Sequence, residues 1–178
     1  SMLRVWGGGT YADDEFYRQC DIHGILVWQD FMFACAMYPG DEKFIKNVSS
    51  EVEEQVQRLR NHPCIALWCG NNEIDEGWHN WGWQKQFKYS SGDSTKIAKD
   101  YNSLFHEAIP AVIRQNDPGR SYWESSPSIG WGHKESLQQG DSHYWGVWWG
   151  NEPFETYTQK VGRFMSEYGF EGMPEFST

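Results

Sequence analysis

The sequence predicts an α/β fold built on parallel strands, and three observations carry that prediction. Short runs rich in apolar, β-branched and aromatic residues alternate with amphipathic helical stretches along the chain. The best-defined strand-like run, Ile25-Leu26-Val27-Trp28, is continuously apolar, as in strands covered on both faces. Nearly every strand-like run ends, at its C-terminal side, in polar or charged residues. Strands alternating with helices require parallel pairing through helical crossovers. A doubly wound sheet and a (β/α)8 barrel both satisfy this. The strand-end residues favour the barrel, which gathers the C-terminal ends of its strands into one ring. A doubly wound sheet would concentrate such groups at a single crevice.

Met2 to Trp6 reads as a first short strand, ended by Gly7-Gly8-Gly9. Asp13 to Ile22 reads as a helix, with Phe16, Tyr17 and Cys20 on its apolar side and Gly24 as its stop. Ile25 to Asp30 is the second strand. Ser50 and Glu53 have the spacing of a capping box, so a helix is expected from Ser50 to Asn61, closed by Pro63. Val52, Val56 and Leu59 recur along it at helical spacing. Cys64 to Cys69 is the third strand. Lys96 to Gln115 is helical, with Pro110 expected to kink it or to start a second helix. Asp117-Pro118-Gly119 is a turn. Ser121 to Glu124, Ser142 to Trp148 and Arg163 to Tyr168 complete the strands, with a weak helix from Tyr157 to Val161.

The formal net charge of −10, without a basic block, argues against nucleic acid and against an anionic membrane surface as partners. No apolar stretch reaches the roughly 18 residues that a membrane span needs. Cys20, Cys35, Cys64 and Cys69 lack metal-ligand and CxxC spacing and read as buried free thiols. No metal or organic cofactor is implied. With 11 Trp, 9 Tyr and 10 Phe, the aromatic content exceeds what a core alone calls for. The Gly-broken stretches Trp78 to Trp83 and Tyr144 to Gly150 suggest flat surfaces lining a cleft. Loop tips folded back on the core are the alternative.

Two strand ends carry a glutamate in similar surroundings. Trp68-Cys69-Gly70-Asn71-Asn72-Glu73 and Phe164-Met165-Ser166-Glu167-Tyr168-Gly169 each bring an apolar approach to an acid near a glycine. Two such acids across a barrel mouth can hydrolyse a glycoside, one giving a proton while the other attacks carbon. Unequal solvation and unequal neighbouring charge would keep one protonated and the other ionised. Arg4 can supply a cation to the ionised acid, and Tyr144 a hydrogen bond, with Tyr168 and Tyr122 as competitors. Glutamates at strand ends are common in ion pairs, so spacing alone leaves a structural role open.

Leu3 to Tyr11, Asp14-Glu15-Phe16-Tyr17, Gly24 to Cys35, Trp68 to Glu73, and Ser166 to Phe170 with Pro174 to Thr178 resemble the β-mannosidases of glycoside hydrolase family 2. The likeness runs nearly end to end and weakens in the connectors, Gly82 to Thr95 and Pro127 to Asp141. It implies a retaining hydrolase that releases mannose from non-reducing ends of β-mannosides by double displacement. It implies an incomplete (β/α)8 barrel, with the strands here as strands two to seven and residues 1–178 as part of the catalytic domain. Strands one and eight are then expected outside the chain. Ser1-Met2 has the look of a cloning remnant, and the compartment (periplasmic, secreted or lysosomal) stays open. A fragment with open sheet edges is expected to be inactive alone, or to associate edge to edge.

By the same resemblance Glu73 is the acid/base and Glu167 the nucleophile. Asn72 would bond the sugar 2-hydroxyl, and Arg4 and Tyr144 would support Glu167. Trp6, Asp30 and Trp145 are candidates for the floor of the sugar site, and Trp78 for the leaving-group side. A buried acid satisfied by internal donors is the alternative for Asp30. His143 reads as a structural strand-end histidine. Glu124 is a rival strand-end acid, while Glu171 and Glu175 read as exposed. The alternatives to a β-mannosidase are a β-galactosidase-like or β-glucuronidase-like member of the family, or a carbohydrate-binding barrel without catalysis.

Overall fold

The computed structural model describes residues 1–169. The motif residues Phe170 and Pro174 to Thr178, with Glu171 and Glu175, lie outside them. The chain divides into two compact units, Ser1–Ser125 and Ser126–Thr178. Each contains a parallel sheet, as the α/β reading requires.

In the first unit the strands are β1 (Met2–Val5), β2 (Leu26–Asp30), β3 (Ile65–Cys69) and β4 (Ser121–Trp123), in the order β1-β2-β3-β4. All three pairings are parallel. The helices are α1 (Asp14–His23), α2 (Glu42–Leu59), α3 (Ile74–Asn80), α4 (Trp83–Gln86), α5 (Ser91–Tyr101) and α6 (Ile109–Asn116). Asp13 caps α1 by accepting from the Phe16 amide at 2.9 Å. Gly24 ends it in the left-handed region at φ 63, where a side chain would be strained.

Helix α2 starts eight residues earlier than the Ser50–Glu53 spacing suggests. Asp41 is the cap, accepting from the Phe44 amide at 3.1 Å, and Ser50 lies mid-helix with its hydroxyl on the Lys46 carbonyl at 3.1 Å. Phe44 and Val48 therefore extend the apolar stripe that continues through Val52, Val56 and Leu59. The Lys96–Gln115 helix also begins earlier, at a capping box formed by Ser90 and Asp93. Its two α-helical parts are joined by a π-helical segment, Asn102–Ala108, and Pro110, which has no amide hydrogen to give, lies in the first turn of α6 directly after it.

The core of this unit joins the sheet to its covering helices. Tyr17, Val27, Phe31, Val52, Val56, Leu59, Trp68, Leu104 and Ile109 are fully buried. Phe31 and Trp68 stack with ring centroids 5.7 Å apart. Burial pushes the Tyr17 hydroxyl up to about 12. Cys20, Cys64 and Cys69 are buried free thiols as expected, whereas Cys35 is exposed. Burial, with Asp21 beside it, pushes the Cys64 thiol up to about 12, which keeps it unreactive.

Gly70 seals the junction of β3 and β4. Its amide donates to the Trp123 carbonyl at 2.7 Å, and a Cβ there would meet the Tyr122 hydroxyl and, at 2.5 Å, the Glu124 carbonyl oxygen. The backbone oxygen cannot swing aside. Gly70→Ala is therefore expected to destabilise this unit by about 1–3 kcal/mol, the cost of overpacking. Urea unfolding of a full-length β-mannosidase carrying this chain over the matched span would measure it.

The second unit holds β5 (Ser142–His143) and β6 (Met165–Glu167), paired in parallel with His143 opposite Glu167. The strand expected from Ser142 to Trp148 stops after His143. Its continuation folds into a turn in which the Trp145 carbonyl accepts from the amides of Trp149 and Gly150, at 2.8 and 3.1 Å. A short 3-10 segment, Phe154–Thr158, replaces the helix expected from Tyr157 to Val161. Each aromatic stretch is itself split between surface and core: Trp81, Trp148 and Trp149 are exposed, while Trp83 and Tyr144 are buried.

Candidate active site

In the first unit the site is built where β1, β2 and β3 end. Arg4 leaves β1 and reaches across β2. Its Nη2 donates to Asp30 Oδ2 at 2.8 Å and to Asn72 Oδ1 at 2.9 Å. Asp30 also accepts from the Gly7 amide at 2.9 Å and from Trp28 Nε1 at 2.8 Å. Both carboxylate oxygens are thus held by internal donors, and the side chain is fully buried. This corrects the reading of Asp30 as part of the sugar floor: it anchors Arg4, and Arg4 in turn orients Asn72. Removing one member of a buried pair leaves the other charge uncompensated. Asp30→Ala is expected to cost about 3–5 kcal/mol, read as a lowered urea midpoint.

The two asparagines after β3 do different work. Asn71 is structural. Its Oδ1 accepts from the Ile74 amide at 3.1 Å and from the Ser125 hydroxyl at 2.7 Å, and its Nδ2 donates to the Glu124 carbonyl at 2.8 Å. It therefore ties the start of α3 to the end of β4. Asn72 has its backbone clamped to the neighbouring segment: its amide donates to the Phe33 carbonyl and its carbonyl accepts from the Cys35 amide, both at 2.9 Å. Its side chain is left to Arg4 on one side and Glu73 on the other, with Nδ2 3.4 Å from Glu73 Oε2.

Glu73 follows in the left-handed region, with φ 61. A non-glycine residue held there costs of order 1 kcal/mol, and such residues gather at functional positions. Its neighbours hold it there: the Asn71 side chain accepts from the Ile74 amide, and the Asn72 backbone is clamped to Phe33 and Cys35. Cys35, also left-handed at φ 47, places its thiol 3.5 Å from the same Glu73 oxygen. Sequence reasoning assigned Cys35 no role. Its signal was its place in the Gly24 to Cys35 segment that carries the family resemblance.

Trp6 is half exposed, and its indole lies over Gly8, where a Cβ would collide with the ring. Trp78 is partly buried, with its ring centroid 6.3 Å from that of Tyr89.

In the second unit Glu167 ends β6. Trp145 Nε1 donates to its Oε2 at 3.1 Å, and the Tyr144 amide donates to its carbonyl at 2.8 Å. The Tyr144 hydroxyl donates to Glu152, which is also paired with Lys160 at 3.0 Å. Tyr144 therefore supports Glu167 through its backbone, and the side-chain donor expected of it comes from the next residue, Trp145. Burial and the Glu152 carboxylate raise the Tyr144 hydroxyl above its ordinary value. Arg4, expected to serve Glu167, makes its first-unit contacts with Asp30 and Asn72.

No family model matches the chain. Curated relatives match it throughout. It is 41% identical over 187 residues to a β-mannosidase of Capra hircus, covering 100% of this chain and 21% of that protein. It is 37% identical over 183 residues to β-mannosidase B of Aspergillus clavatus, covering 99% of this chain and 21% of that one. The crystal structure of a β-D-mannosidase from Dictyoglomus thermophilum superposes with a TM-score of 0.78 at 44% identity, covering 99% of this chain and 20% of that chain. Over its whole length the chain is homologous to β-mannosidases. That homology is consistent with glycoside hydrolase family 2. A β-glucuronidase of Bacteroides uniformis, at 20% identity and a TM-score of 0.55 over 68% of this chain and 13% of that chain, shares the fold. The chain spans about a fifth of the length of the curated relatives it matches.

Proposed function

We propose that this chain carries both catalytic carboxylates of a retaining β-mannosidase, within a partial (β/α)8 barrel. The observation that supports this most is the placing of Glu73 just beyond β3 and of Glu167 at the end of β6, in a chain similar throughout to β-mannosidases. The substrate is a glycoside with a β-linked mannose at its non-reducing end. Glu167 attacks the anomeric carbon and forms a mannosyl ester while Glu73 protonates the departing oxygen. Glu73 then takes a proton from water, which attacks the same carbon and frees Glu167. Asn72, aimed by Arg4, bonds the 2-hydroxyl, a contact that strengthens as the sugar ring gains positive charge. Trp6 and Trp145 offer flat faces to the sugar, and Trp78 lies toward the leaving group.

The test is turnover of 4-nitrophenyl β-mannoside against the matching β-galactoside and β-glucuronide, using a full-length β-mannosidase whose matched span is this chain. Preference for the mannoside supports the reading. Preference for either other sugar, or sugar binding without turnover, overturns it.

A further inference from the structure

We propose that His143 is the positioning residue of Glu167, and that Asp141 and Ser126 hold His143 in place for that task. This rests on the reading of Glu167 as the nucleophile.

The groups concerned all belong to the second unit. His143 is opposite Glu167 in the parallel pairing of β5 and β6, and a register irregularity just before it accompanies the close approach of the two side chains. The imidazole is buried, with Nδ1 3.5 Å from Glu167 Oε2 and Nε2 2.9 Å from Ser126 Oγ. Beyond Ser126 is Asp141, whose Oδ2 accepts from the hydroxyls of Ser126 and Ser166, each at 2.6 Å. Its Oδ1 accepts from the Ser128 amide at 2.7 Å.

Proton counting fixes the ring. A serine hydroxyl has one proton and two lone pairs. With the Ser126 proton given to Asp141, Ser126 Oγ can only accept, so Nε2 carries a hydrogen and points at Ser126. Nδ1 then faces Glu167 Oε2 at 3.5 Å. Trp145 Nε1 converges on the same Oε2, so two nitrogens from neighbouring residues define where that oxygen lies. Ser166, the residue before Glu167, is pinned to the same aspartate and fixes the strand from behind. A buried histidine serving only as packing would not need this chain of donors and acceptors.

The experiment uses a full-length β-mannosidase carrying this chain over the matched span, with His143→Ala, His143→Asn, His143→Gln and Ser126→Ala. The readout is kcat/KM for 2,4-dinitrophenyl β-mannoside, whose leaving group needs no proton, so that the rate reports attack by Glu167. Thermal midpoints are measured beside it. His143→Ala is expected to lose about 100-fold, the scale of a misplaced reacting group. The Asn amide nitrogen stands where Nδ1 stood and is expected to recover about tenfold of that loss, while Gln, which restores only the contact toward Ser126, recovers less. Ser126→Ala is expected to fall between the parent and His143→Ala. Three His143 variants within about threefold of the parent would overturn the proposal, as would equal losses in Asn and Gln that track the thermal midpoint. Mass analysis after 2-deoxy-2-fluoro-β-mannosyl fluoride separates the failures. A label on a residue other than Glu167 defeats the nucleophile reading, and the positioning proposal with it. A label on Glu167 with unaffected His143 variants defeats the positioning proposal alone.

Discussion

Glu167→Gln, in a full-length β-mannosidase carrying this chain, is expected to lower kcat on 4-nitrophenyl β-mannoside by roughly 10⁵-fold or more, the scale seen when a covalent nucleophile is removed. The amide has nearly the shape of the carboxylate, so Trp145 Nε1 keeps a side-chain oxygen to donate to, while the Tyr144 amide stays on the backbone carbonyl of residue 167. What is lost is the charge that attacks carbon and the ester that follows. Sugar affinity, measured calorimetrically with mannose, should survive within about tenfold, because attack and ground-state binding draw on different contacts. A fall in affinity matching the fall in kcat would place Glu167 in binding alone.

Glu73→Ala has the second largest expected effect. On mannosides with poor leaving groups it should cost about 10²–10⁴-fold, the usual worth of a positioned general acid. On 2,4-dinitrophenyl β-mannoside the first step needs no proton, so the initial burst of dinitrophenolate should persist while the steady rate falls. Azide needs no general base and should restore turnover, giving β-mannosyl azide identifiable by NMR. Equal losses on both substrates, with no rescue, would make Glu73 a structural residue. Glu73→Gln is the companion variant, because it keeps a long polar side chain at φ 61, where Ala changes the local backbone preference as well.

What was legible in the sequence was local. Gly24 ends α1 because the left-handed turn there needs a residue without a Cβ, and that rule can be read from a few neighbouring letters. The start of α2 was misplaced because Ser50 and Glu53 satisfy the spacing of a cap while Asp41, nine residues before Ser50, satisfies the cap itself. Strand β5 was read too long because Trp145 to Gly150 is as aromatic as a strand, and only the carbonyl of Trp145 accepting two amides shows that it turns back.

The acids at the strand ends were legible because each lies in a contiguous motif. Their neighbours were not. Asp30 has the chemistry of a sugar ligand, but its donors come from Arg4, Gly7 and Trp28, so its satisfaction is visible only once β1 and β2 are paired. Asn71 and Asn72 are adjacent and identical in type, and the bonding of each to distant segments separates the amide that ties α3 to the end of β4 from the one that Arg4 holds beside Glu73. His143 is 24 residues from Glu167 in sequence and directly opposite it in the sheet. A histidine before Tyr144-Trp145 gave no sign of Ser126 or Asp141 behind it.

The measurement that bears most directly on the two-carboxylate account is the anomeric form of the first mannose released. Proton NMR of the full-length enzyme acting on 4-nitrophenyl β-mannoside, recorded before mutarotation, reads it. Double displacement through a Glu167 ester requires β-mannose to appear first and the α-anomer to grow in later. If α-mannose appears first, water has attacked the anomeric carbon directly, and Glu167 is not the nucleophile.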